Sequence, residues 1–183
     1  MRSRLSPVVH ADRLLTAAEL SSARLDGELV AIGAAFQFID LPDSTLARAA
    51  SLAPALHDSR AIVSERTAAW VWGWLPECRT VSTCVSIAAR LPSTARRLQA
   101  TREVVIRVDE VAQLGGVRVT TPLRTVVDLA RLDADDAVVD IIATALSTNG
   151  VGEAELRGAL ERSRSVSHIA RARRRVGLAL SRC

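Results

Sequence analysis

Apolar and polar positions along this chain change period several times, and each change predicts a new element. The clearest case is "VRVTTPLRTVVDLARL", residues 117 to 132. Val117-Arg118-Val119-Thr120 is β-branched and reads as a strand. Thr121 can then offer its hydroxyl to an N-terminal amide, and Pro122 suits the first helical position, where a missing N–H costs nothing. Leu123, Val126, Val127 and Ala130 follow at helical spacing, with Arg124, Thr125, Asp128 and Arg131 off the stripe. Arg124 and Asp128, four apart, can pair, although an exposed pair contributes only some tenths of a kcal/mol.

Upstream, Thr16-Ala17-Ala18-Glu19 is a capping box. It predicts a short helix over about 17 to 23, a turn near Ser21 to Arg24, a second helix from Leu25 to about Ala31, and a strand in "AFQFID" after Gly33. That order outlines a helix-turn-helix with part of a wing. Ser44 opens a third helix, kinked near Pro54, and Ser64 caps a fourth, "SERTAAWVWGW", with Glu65 in its first turn and its end near Gly73. Strands are predicted in 79 to 89, 102 to 109 and 116 to 121, with a loop or short helix over 90 to 100 and a Gly115-Gly116 turn before the third. Helices then occupy 135 to 150, from an Asp135 cap to an Asn149-Gly150 stop, 152 to 163 and 165 to 180.

Strands followed by helices give an α+β class. The expected architecture is an abbreviated N-terminal winged helix-turn-helix followed by a mixed domain, with a small sheet of at least three strands packed by helices, and a helical C-terminus. The corresponding divisions are 1-58, 59-163 and a basic helix over 164-183.

Composition narrows the chemistry. All 24 basic residues are arginine, so Schiff-base and Walker lysines are excluded. Aromatics make up 3% with no tyrosine, which leaves an aliphatic core and no platform for stacking bases. Cys78, Cys84 and Cys183 contain no C-x-x-C pair, and His10, His57 and His168 are scattered, so no metal site and no cofactor are expected. Neither a nucleophile elbow nor a phosphate-cradling glycine loop occurs, and no catalytic residue is assigned. Asp133, Asp135, Asp136 and Asp140 cluster, with helix-start capping as their simplest role. The N-terminus lacks a signal-peptide core, and the longest apolar runs fall short of a membrane span, so a cytoplasmic location is expected.

The net charge of +4 is uneven. Residues 157 to 183 carry eight arginines against Glu161 alone, while the remainder carries sixteen against nineteen acids. A helix bearing Val166, Ile169, Ala170, Val176 and Leu180 on one stripe would hold Arg171, Arg174 and Arg175 away from it, with Arg173 interrupting. These four arginines are candidate phosphate contacts on double-stranded DNA, with Ser21, Ser22 and Arg24 as further DNA contacts near the predicted second helix. The three tryptophans, at 70, 72 and 74, suit a core or a domain seam. Trp70 and Trp72 are also the candidate anchors for a protein partner.

Two segments carry a resemblance. "SERTAAWVWGW", through Arg66, Thr67, Ala68, Ala69 and Gly73, and "GVRVTTPLRTVVDLAR", through Thr120, Thr121, Pro122, Arg124, Thr125, Asp128, Leu129 and Ala130, resemble the AbiEi-type antitoxin and transcriptional-regulator family of actinobacteria. The likeness runs over about residues 12 to 175. It implies a winged helix-turn-helix that binds DNA and represses its own operon, and an α+β domain that counteracts a nucleotidyltransferase-type toxin. Within that frame Thr121, Arg124, Thr125 and Asp128 are expected to form a polar brace holding their helix against the sheet or the N-terminal region. A homodimer is the form that would read two half-sites. The rival expectation is a protein-interaction module that binds an acidic partner, with DNA irrelevant.

Overall fold

The computed structural model describes residues 6–12, 15–90, 101–148, 151–163 and 166–182. Most of the predicted 90 to 100 connection, the Asn149-Gly150 stop and Cys183 lie outside that set. Helix α1 (Ala17–Leu25) starts at the capping box: the Thr16 side chain accepts from the Glu19 N–H at 3.2 Å, and the Glu19 carboxylate accepts from the Thr16 N–H at 2.7 Å.

Beyond α1 the chain departs from the sequence expectation. The predicted second helix is instead strand β1 (Leu29–Ile32), hairpinned antiparallel to β2 (Ala35–Phe38). Gly27, at φ +80°, reverses the chain after α1, and a short apolar run such as "LVAI" carries no period that separates helix from strand. Among the described residues the N-terminal region therefore presents one helix and a hairpin, and Val9 bridges to Phe36 beside it. Helix α2 (Thr45–Ser51) is capped by Ser44 and stops before a short 3-10 turn containing Pro54.

The main sheet has five strands in the order β5-β4-β3-β7-β6. After β3 (Ile62–Val63) comes α3 (Glu65–Val71), then β4 (Thr83–Ser86), β5 (Thr101–Val104), β6 (Val111–Leu114) and β7 (Val117–Thr120). β3 sits centrally, antiparallel to β4 and parallel to β7, while β4 and β5 are parallel and β6 and β7 antiparallel. β3 has only two residues, too few to show alternation, and β6, Val-Ala-Gln-Leu, carries neither alternation nor a β-branched run, so both escaped the sequence reading. At the β6–β7 turn Gly115 lies so close to α2 that an added Cβ would stand 2.8 Å from the Ala50 Cβ, so the absent side chain lets α2 approach the sheet.

Helices α4 (Pro122–Leu132), α5 (Val138–Thr148), α6 (Glu153–Arg162) and α7 (Ile169–Leu180) complete the chain. Asp135 does not cap α5 directly but accepts from the Ala137 N–H at 2.9 Å, just before the helix forms. Ser64 precedes α3 without a capping hydrogen bond. Two apolar clusters result. One joins α2, the hairpin, β3, β7 and Trp70; the other joins α4 to α7 with Ala69 and Trp74. Trp72 packs against both, so α3 and the turn after it form the seam. Among the described residues no helix is long and apolar enough to cross a membrane.

Candidate functional site

The first turn of α4 is fixed by hydroxyls. Thr121 accepts from the Arg124 N–H at 3.4 Å, and the buried Thr125 hydroxyl lies 2.7 Å from that of Thr120 and 2.9 Å from the Thr121 carbonyl oxygen. One turn on, Asp128 is 1% exposed and accepts from Arg124 Nε at 2.8 Å and from Arg131 Nη1 at 3.5 Å. Arg124 also donates through Nη1 to Glu110 Oε2 at 2.9 Å and to the Val105 carbonyl at 3.2 Å. The spacing 124, 128, 131 puts all three side chains on one helical face. That face lines the same cavity as strand β5.

Charges continue around it. Glu65 opens α3 at φ +53°, a conformation that costs a β-carbon-bearing residue roughly 1–2 kcal/mol, and its carboxylate meets Arg102 of β5 at 2.9 Å. Burial raises the Glu65 pKa; Arg102 opposes the rise, and Asp128 and Asp133 add to it. Cys84, buried beneath the same network, has its thiol pushed up to about 11, chiefly by burial and then by Asp128. Beside α4 opens a cavity of 970 Å³ walled by β5, the 107–110 segment, α4, α6 and residues 166–167.

A family model for the AbiEi antitoxin C-terminal domain matches residues 60–178. The chain belongs to the AbiEi antitoxin family. Among solved structures it is similar to the RV2827C protein from Mycobacterium tuberculosis, at 17% identity and a TM-score of 0.36, covering 88% of this chain and 69% of that one. No curated protein matches it.

In this AbiEi-type chain the expected brace residues come together. Arg124 ties α4 to the β5–β6 connection through Val105 and Glu110, and Thr125 ties it to the end of β7. Sequence reasoning missed Arg131, Glu110, Arg102 and Arg66. Arg131 left a signal in its place three residues after Asp128 on the polar face, and Arg66 in its motif position, although neither signal named a partner. Arg66 donates from α3 to Asp133 at 2.6 and 3.0 Å, holding the end of α4, a contact between residues far apart in sequence.

The arginines of α7 divide differently from the expectation, which held Arg171, Arg174 and Arg175 away from the apolar stripe and had Arg173 interrupt it. Arg175 is 2% exposed and donates to the carbonyls of Asp133 at 2.8 Å and Ala130 at 3.3 Å and to Asp136 Oδ1 at 2.8 Å. Arg171 donates to the Arg131 carbonyl. Both guanidiniums thus satisfy carbonyls at the α4 C-terminus, where the helix dipole also favours a cation. Arg173 and Arg174 face outward, paired with Glu161 at 3.0 Å and Asp136 at 3.6 Å. The buried stripe of α7 is Ala172, Val176 and Ala179 with Arg175 beside it.

The tryptophans lie inward. Trp70 is 4% exposed beneath the Arg48 guanidinium, 5.7 Å from its ring centroid, so it has almost no surface to present to a partner. Trp72 is half-buried, and its indole N–H donates to the Thr120 carbonyl at 2.9 Å. Ser21, Ser22 and Arg24 lie at the surface on the second half of α1, which runs on as helix through the turn expected there.

Proposed function

We propose that this chain is a DNA-binding regulator of the AbiEi antitoxin type, which meets duplex DNA with α1 and the β1–β2 hairpin and counteracts a nucleotidyltransferase-type toxin with its α+β body. The exposure of α1 carries the DNA reading. Leu20 is its one buried side chain, so a nine-residue helix, too short to be stable alone, is held outward by a capping box and a single anchor. A helix so presented, with a hairpin beside it, supports a reading in which α1 enters a groove and the hairpin lies alongside as a wing. Ser21, Ser22 and Arg24 are its candidate contacts. Arg173 and Arg174 are candidate phosphate contacts, because exposed ion pairs are weak and exchange readily for phosphate oxygens. Arg171 and Arg175 are left out of this set, since their donors are engaged within the fold.

Fluorescence anisotropy on a duplex from the gene's own upstream region tests the proposal. Replacing Ser21, Ser22 and Arg24 together by alanine is expected to weaken binding at least tenfold and to erase preference over an unrelated duplex. The Arg173→Ala, Arg174→Ala pair is expected to weaken all duplexes alike and to reduce the salt slope by roughly two, about 0.9 per phosphate. Affinity unchanged in both variants would sink the reading.

A second reading has the head dock on a protein. Leu25, Phe38 and Ile39 are 81%, 53% and 59% exposed, and residues 15 to 48 hold five acids against Arg24 and Arg48. Absence of any duplex binding by the unaltered chain would favour it.

A further inference from the structure

We infer that the cavity beside α4 is a binding site for an amphipathic organic anion, its carboxylate or phosphate seated on Arg131 and its aliphatic body along Val104, Leu123 and Val166. The inference is independent of the DNA reading. The volume, 970 Å³, lies at the upper end of the range of about 300–1,000 Å³ typical of small-molecule sites.

Five arginines, 102, 107, 124, 131 and 162, and five carboxylates, Glu103, Asp109, Glu110, Asp128 and Glu155, line the cavity, so the wall is balanced overall but its charges are unequally paired. Arg124 has Asp128 at 2.8 Å and Glu110 at 2.9 Å, Arg102 has Glu65 at 2.9 Å, and Arg107 has Asp109 at 2.7 Å. Arg131, with a side chain 11% exposed, reaches only the second oxygen of the Asp128 carboxylate already held by Arg124, at 3.5 Å. Its other acceptor among the described residues is the Ser167 carbonyl, 3.2 Å from Nε. A guanidinium has five N–H donors, and the donors of Arg131 that the fold leaves over face the cavity, where water or an anionic ligand can take them. Burial pushes the Arg131 pKa down, Asp128 opposes this, and Arg124 and Arg102 add to the fall; a bound anion would reverse that balance.

The rest of the wall specifies the body of the ligand. Among the described residues no aromatic ring lines the cavity, so a nucleobase would find nothing to stack on. Aliphatic groups do line it, and Val105 and Val166 stay 77% and 39% exposed at its edge, apolar surface that an alkyl chain would cover.

Isothermal titration of the full chain with hexanoate and with hexyl phosphate, against inorganic phosphate and sodium chloride at matched ionic strength, tests the site. A saturable heat with one site per chain is expected from either amphiphile, and the tighter of the two identifies the head group. Inorganic phosphate should bind at least tenfold more weakly than hexyl phosphate. Arg131→Gln should weaken binding at least tenfold. Val166→Trp, which adds bulk at the cavity mouth and leaves the ion network intact, should do the same with the far-ultraviolet circular dichroism unchanged. No saturable heat from either amphiphile, equal binding in both variants, or inorganic phosphate as tight as hexyl phosphate would overturn the inference.

Discussion

Helices α1 and α4 begin alike and end in opposite circumstances. Each opens on a threonine whose hydroxyl accepts an N–H three residues on, Thr16 from Glu19 and Thr121 from Arg124. Beyond the caps, α1 buries Leu20 alone, whereas α4 buries the run from Thr125 to Arg131, including the charged Asp128 and Arg131. A cap is worth about 1 kcal/mol wherever it occurs, so it starts a helix without deciding which surroundings the helix will meet. The N-terminal head, α1 and the hairpin, keeps its polar face in water. The body turns the same kinds of side chain inward and neutralises them there.

Removing the inner carboxylate should widen this contrast most. Asp128→Ala leaves Arg124 with Glu110 and the Val105 carbonyl and Arg131 with the Ser167 carbonyl alone, and is expected to cost about 3–5 kcal/mol, the usual penalty for breaking a buried pair. Urea denaturation reads it directly. Alanine at the exposed Asp26 of the head should move stability by no more than about 0.5 kcal/mol, and equal losses at the two positions would show that the inner network is no more than a surface pair.

Alkali should act on the body next. The Cys84 thiol ionises near 9.0 when free and at about 11 in the fold, a raised pKa that leaves the neutral thiol unpenalised, so its contribution is intact below pH 9 and is lost as pH rises towards 11. A fall in stability on the order of 2 kcal/mol across that window is expected. Cys84→Val should flatten most of it, with part remaining because burial raises the Cys78 thiol too. An unchanged alkaline limb in Cys84→Val would place the sensitivity elsewhere.

The caps themselves give the smallest and sharpest test. Thr121→Ala should lower global stability by about 1 kcal/mol, since α4 is built into the core. Thr16→Ala removes a similar interaction from α1, yet the loss should appear as faster amide exchange in α1 with the denaturation midpoint unchanged. If Thr16→Ala shifts the midpoint as far as Thr121→Ala, the head is as tightly coupled to the core as α4 is.

Local signals were legible in the sequence wherever one segment held the whole cause. The Thr16 and Thr121 caps, the Pro122 start, the end of the tryptophan helix at Gly73 and the Gly115-Gly116 turn all depend on residues within a few positions of each other. The apolar stripe of α4 was legible for the same reason. "ELVAI" was not, because four apolar residues suit either a helix or a strand and the hairpin partner decides between them. Part of the brace could be read as well, since Arg124, Thr125 and Asp128 sit within little more than one turn.

By itself, then, the sequence determined most of the helix starts, the α+β class and the family. Tertiary structure alone decided where the charge went. Arg173 and Arg175 belong to one helix and one composition, but the first faces solvent and the second fills the C-terminal end of α4, forty-odd positions earlier in the chain. Arg131 likewise became under-compensated only once Arg124 had taken the nearer share of Asp128. A guanidinium's partners are set by distances between elements, and those distances are fixed by how the apolar faces pack.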